Sequence, residues 1–173
     1  MNRSAFTLFS LILLLATAPL SHGQNDGNDL LASESLGGIK IGLEEKALGT
    51  ILGKSKVKKG KSGLEEATGE YIQTWTCEEK GLSLRMSSGE NKKGTPQVAG
   101  FTADAKCPLA TNKGIKIGST KTEVLKAYGK FEDKENKAAA GADSFVAGSI
   151  YGGIIFTFEG DKVSEIFFGA GAE

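Results

Sequence analysis

Gly38-Ile39-Lys40-Ile41-Gly42 returns 76 residues later as Gly114-Ile115-Lys116-Ile117-Gly118. The match continues at Gly53/Gly129, Lys54/Lys130, Lys58/Lys134 and Lys61/Lys137, with conservative pairs such as Leu48/Val124 and Leu52/Tyr128 between them. In both copies Ile-Lys-Ile alternates like a short strand, and the following glycine breaks it. An apolar stripe at helical spacing comes next. It runs through Leu43, Ala47, Leu48, Ile51 and Leu52 in the first copy, and through Val124, Leu125 and Tyr128 in the second. Ser119 or Thr120 is placed to cap the second helix, with Glu123 positioned for a capping box. Gly53 and Gly129 are expected to stop the two helices. Helices this short do not stand alone in water, so each must pack on something.

The stretch after each helix reads as sheet. Tyr71–Cys77, Leu82–Ser88 and Val98–Lys106 are expected strands in the first copy, and Phe145–Tyr151, Ile154–Glu159 and Val163–Ala170 in the second. Gly152-Gly153 and Gly160-Asp161 are expected turns. Leu82, Leu84 and Met86 share one face, opposite Ser83, Arg85 and Ser87. The expected fold class is therefore α+β: two tandem helix-plus-antiparallel-meander units forming one sheet, with the helices on one face and the other face open. The expected boundaries are 1–23 for a signal peptide, 24–36 for a disordered tether, 37–112 for the first repeat and 113–173 for the second.

A β-entry of the form I-x-I-G, a helix ending in G-K and an antiparallel meander, in tandem, resembles the β-lactamase inhibitor protein architecture. It is also similar to the outer-membrane lipoprotein SmpA/OmlA unit. The resemblance spans most of 36–173 and implies a sheet and loops that serve protein–protein contacts, with no catalysis. None of the inhibitor family's contact residues is matched position by position.

The front end points to export. Arg3 supplies a positive start, Leu8 to Ala18 is apolar apart from Ser10 and Thr17, and Ser21-His22-Gly23 offers a cleavage site before Gln24. The run is well short of the ~20 apolar residues of a membrane span. No cysteine adjoins the cleavage point, so a lipid-modified N-terminus is not expected. The expected product is periplasmic or extracellular, with no transmembrane segment.

Cleavage would leave 20 Lys+Arg against 21 Asp+Glu, and Arg85 as the one arginine beside 19 lysines. A nucleic-acid footprint needs a strongly positive face, so that partner class is set aside. Cys77 and Cys107 are the only cysteines. In an oxidising compartment they are expected as a disulfide, contributing roughly 3–4 kcal/mol in the chain-entropy model.

The lone histidine, His22, falls in the expected signal, which removes histidine-based catalysis and ordinary zinc sites. Glu65-Glu66, Glu78-Glu79 and Glu132-Asp133 read as solvated neighbours rather than catalytic pairs. Asn25-Asp26-Gly27-Asn28-Asp29 lacks calcium-loop spacing and reads as tether. Lys54, Lys56, Lys58, Lys59 and Lys61 read as a solvated loop after the first helix. No catalytic, metal or cofactor site is assigned. The expected activity is protein binding, as an inhibitor or envelope-assembly factor, through the open sheet face and the 89–97 loop. Candidate contact residues are Tyr71, Trp75, Arg85, Lys92, Lys93, Tyr151 and Phe168, with Trp75, Tyr151 and one of Phe167 and Phe168 grouped as an exposed patch. The rival is a small-ligand carrier or hydrolase-type enzyme with its site between the repeats.

Overall fold

The alternation along Leu82-Ser83-Leu84-Arg85-Met86-Ser87 becomes the third strand of a seven-stranded sheet. The computed structural model describes residues 26–134 and 141–170. The expected signal over 1–23 lies outside the described residues, as do Gln24 and Asn25. The strands are β1 (Lys58–Glu65), β2 (Glu70–Cys77), β3 (Leu82–Ser87), β4 (Gln97–Ala103), β5 (Ser144–Ser149), β6 (Gly152–Glu159) and β7 (Lys162–Gly169). Their spatial order is β1-β2-β3-β4-β7-β6-β5, and every pairing is antiparallel.

One row of facing residues crosses the whole sheet: Lys59, Trp75, Leu84, Phe101, Phe168, Ile154 and Ala147. A second holds Cys77, Leu82, Ala103, Ile166, Phe156 and Phe145. From Trp75 and Cys77 onward these side chains are buried in a single core cluster. Phe101 and Phe168 stack at 4.6 Å across the β4–β7 junction, which joins the two meanders.

Three short helices cover this face: α1 (Asp26–Ser33), α2 (Glu45–Leu52) and α3 (Lys121–Tyr128). Burial at i and i+4 seats them, through Leu48 and Leu52 in α2 and Val124 and Tyr128 in α3. The expected capping box forms: Thr120 Oγ1 accepts from Glu123 N at 3.1 Å, while Glu123 Oε2 accepts from Thr120 N at 2.6 Å. α3 ends at Gly129 as expected, but this glycine is right-handed and leads into a 3-10 turn over Gly129–Phe131.

The architecture corrects the expected fold class. It is mostly one antiparallel sheet with few short helices, not two helix-plus-meander repeats. The two pentapeptides are not strands. Each is a loop that buries its first isoleucine, Ile39 or Ile115, and turns on a positive-φ glycine, Gly42 or Gly118. Those glycines donate N–H to Val98 O and Val163 O, each at 2.8 Å, and so hold the loops against β4 and β7. The recurrence in the sequence marks these two anchors, and the strands carry most of the core.

Three further expectations are corrected. The lysine run over 54–61 is not simply loop: Lys58, Lys59 and Lys61 lie in β1, an edge strand where charge replaces the usual alternation. Gly152-Gly153 opens β6, and the β5–β6 turn is at Ile150-Tyr151. Cys77 and Cys107 are free thiols, both buried, so the expected disulfide is absent. The turn that takes Cys107 N to Asp104 O at 2.9 Å buries this cysteine apart from Cys77 at the end of β2.

The segment expected as a tether carries α1, which packs on β5 and β6. Leu30 and Leu36 enter the core, and Glu34 is only 2% exposed. Glu34 accepts from the Tyr128 hydroxyl at 3.1 Å and pairs with Lys113 Nζ at 3.0 Å. Asn112 closes the junction, accepting from Ser35 Oγ at 2.8 Å and donating to Ser33 O at 3.0 Å. A buried carboxylate is tolerated because it is both paired and hydrogen-bonded.

Candidate functional site

Alternation places the complementary residues on the side opposite the core cluster. There the row Lys58, Thr76, Ser83, Thr102, Phe167, Ile155 and Val146 spans all seven strands. None of these side chains belongs to the core cluster that the helices join. The β1–β4 half presents hydroxyls, and the β7–β5 half is apolar, with Phe167 and Ile155 half-buried and Val146 buried. Beside this row, Arg85 of β3 reaches across β2 to pair with Glu65 of β1, and Ser87 Oγ donates to Glu70 at 2.7 Å. These cross-strand contacts tie β1, β2 and β3 together on the polar half.

A shallow depression of about 330 Å³ lies at the end of the hydroxyl row, lined by Thr76, Ser83, Thr102, Asp104, Lys106 and Glu165 among others. At its rim Lys58 and Glu78 pair at 2.7 Å, and the hydrogen bond and charge of Lys58 hold the Glu78 carboxyl below its ordinary range. A larger depression, about 500 Å³, lies between the 88–96 loop and the Ile41-Gly42 turn, with Glu70, Ser87, Ser88 and Thr95 in its lining. Gly94 N donates to Ser88 O at 3.1 Å and draws this loop tight. Lys92 adopts φ 58°, an uncommon region for a side-chain-bearing residue, and its ammonium stands 5.5 Å from the Tyr71 ring centroid. Lys93 is exposed beside it.

The residues expected to form a binding patch divide accordingly. Tyr71, Lys92 and Lys93 come together at the loop, and Arg85 lies on the open face. Tyr151 is 66% exposed, at the tip of the β5–β6 turn. Trp75 and Phe168 are buried, which corrects the expected Trp75–Tyr151–phenylalanine patch. Both occupy the core row, where Trp75 faces Leu84 and Phe168 faces Phe101. Lys59 covers the Trp75 ring at 3.7 Å, and Gln73 accepts from the indole N–H at 2.7 Å. Of the adjacent phenylalanines, Phe167 takes the open face.

Sequence reasoning missed Glu34, Lys113 and Asn112, which carry no periodic signal. It also passed over Thr102, although the alternation of Ser83 and Arg85 in the neighbouring strand points to that face. Among the described residues no group of three or more His, Cys, Asp or Glu side chains is arranged to hold a metal ion, and no helix is long and apolar enough to cross a membrane. No protein-family model, curated protein or solved structure matches the chain.

Proposed function

We propose that this chain is an exported protein-binding module that docks a folded partner on the open face of its sheet, with the 88–96 loop at the margin. The row Thr76-Ser83-Thr102-Phe167-Ile155 carries the reading. It pairs short hydroxyl side chains, which adapt to a partner's polar groups at little entropic cost, with an apolar pair, Phe167 and Ile155, over which no helix of the described residues lies. Both neighbouring depressions are shallow and open to solvent, which suits a broad contact better than an enclosed small molecule. The near balance of charge after cleavage near Gly23 favours a protein over nucleic acid. Inhibition of an enzyme and assistance in envelope assembly are the two roles in keeping with such a surface.

The test is capture from envelope and culture fractions by the mature chain carrying a photo-crosslinker at Thr76. Thr102→Arg on the open face should abolish capture of a defined partner, whereas Lys46→Glu on exposed α2 should leave it intact. Equal capture by both variants, or none by the wild type, would sink the proposal.

A further inference from the structure

The two edges of the sheet are not alike. Beyond β5, Glu132 bridges to Ala147 and Asp133 N donates to Val146 O at 2.9 Å, so that edge is occupied. Beyond β1 no segment of the described residues pairs. Every second residue of β1 therefore offers unpaired N–H and C=O groups along one line.

The side chains of this edge have a polarity along the strand. Lys58, Lys59 and Lys61 fill the first half, and Leu64 and Glu65 end the second. Leu64 is 55% exposed, one of few large apolar side chains left to solvent. A bulge interrupts the middle: Gly60 and Lys61 together occupy the register step between the Lys59–Trp75 and Ser62–Gln73 pairs. The extra residue returns Lys58 and Glu65 to one face, the open one, and Lys59 and Leu64 to the other.

We infer that β1 pairs antiparallel with β1 of a second copy of this chain, about a two-fold axis through Ser62. In that register Lys58 stands opposite Glu65 of the second copy, and Lys59 opposite its Leu64. The Gly60-Lys61 bulge meets Gly63, which has no side chain to obstruct it and open space around it. Lys58 already contacts Glu78, and Glu65 already contacts Arg85. Pairing joins these into two four-charge networks, Glu78–Lys58 with Glu65–Arg85 of the second copy, and networks gain more than isolated surface pairs. The Lys59 stem covers Leu64. A two-fold contact of this kind is self-complementary and closed. Parallel in-register pairing instead sets Lys58, Lys59 and Lys61 beside their own copies, which like-charge repulsion disfavours.

Sedimentation of the mature chain tests this. Wild type should show a monomer–dimer equilibrium at micromolar concentration, weakened by salt. Lys58→Glu and Glu65→Lys should each weaken it about tenfold, and the double variant, which restores opposite charges, should recover it to within about threefold. A chain that stays monomeric, or a dimer indifferent to both reversals, overturns the inference and leaves the lysines as simple guards of a free edge. Should either reversal impair folding, Ser62→Cys decides. Its thiols meet on the axis and should crosslink rapidly under mild oxidation, whereas Lys93→Cys should not; equal rates overturn the pairing.

Discussion

The Tyr128 hydroxyl of α3 donates to Glu34 Oε2 at 3.1 Å, and both side chains are almost wholly buried. One hydrogen bond thus ties the segment after α1 to the second half of the chain. Tyr128→Phe removes that donor but leaves Lys113, so a loss of about 1–2 kcal/mol is expected from urea denaturation. Glu34→Ala should cost about 2–4 kcal/mol, because Lys113 loses its counter-charge and the core loses packing. Burial, with the Glu34 charge as a lesser cause, raises the Tyr128 phenol well above its ordinary value of 10.0. A raised folded-state value means that the stabilisation is complete below pH 10 and is lost as pH climbs from there toward the folded value. Alkaline denaturation of wild type against Tyr128→Phe should show this difference; a constant gap across that range would contradict it.

Trp75→Ala removes a buried indole from the β2 end of the core row. The expected cost is about 3–5 kcal/mol, a large share of the stability of an ordinary domain. Tyr151→Ala, at an exposed turn, should stay within about 0.5 kcal/mol of wild type. Chemical denaturation of the two variants side by side gives the comparison.

Two glycine-to-alanine changes should have opposite signs. A Cβ on Gly153 would lie 2.5 Å from the backbone oxygens of both Ala147 and Ser149, where nothing flexible can yield. A loss of about 1–3 kcal/mol is expected. A Cβ on Gly49, inside α2, meets nothing within 4 Å. There alanine should stabilise by about 0.5–1 kcal/mol through helix propensity and reduced freedom of the unfolded chain. Thermal melts showing the same direction for both would refute the packing assignment.

The cysteines should behave as inert thiols. Burial pushes the Cys107 thiol above its ordinary value, with the Asp104 charge adding to it, so little thiolate is present at neutral pH. Intact mass should not change on reduction. Alkylation of both residues should be slow in the native chain and fast in denaturant. Rapid native labelling would show that the β4 end opens readily.

Strands with clean alternation were legible from residues alone, and six of the seven lie close to their expected limits. β1 was not, because Lys58-Lys59-Gly60-Lys61 has neither alternation nor β-branched residues; its pairing comes from β2, not from its own propensity. α1 was hidden for a similar reason. Its apolar content is confined to Leu30, Leu31 and Ala32, and its place depends on Glu34 meeting Lys113 and Tyr128, far along the chain. The tandem pentapeptides were the strongest signal and misled about architecture, since a recurring loop anchor looks like a recurring unit. At the candidate site, alternation put Trp75 with Tyr71 and Gln73 on one face correctly. Which face the helices cover depends on long-range packing, and that turned the expected exposed tryptophan into a core residue.

Trp75 is the only tryptophan in the chain. Its indole lies beneath the Lys59 ammonium of β1, while the α1 junction packs against the opposite end of the strand order, on β5 and β6. The molecule therefore carries a tryptophan reporter for one margin and none for the other. Selectively excited tryptophan fluorescence follows the β1–β2 end alone, whereas circular dichroism averages over the whole sheet. Agreement of the two curves during unfolding is then a direct reading of whether the seven strands melt as one cooperative body.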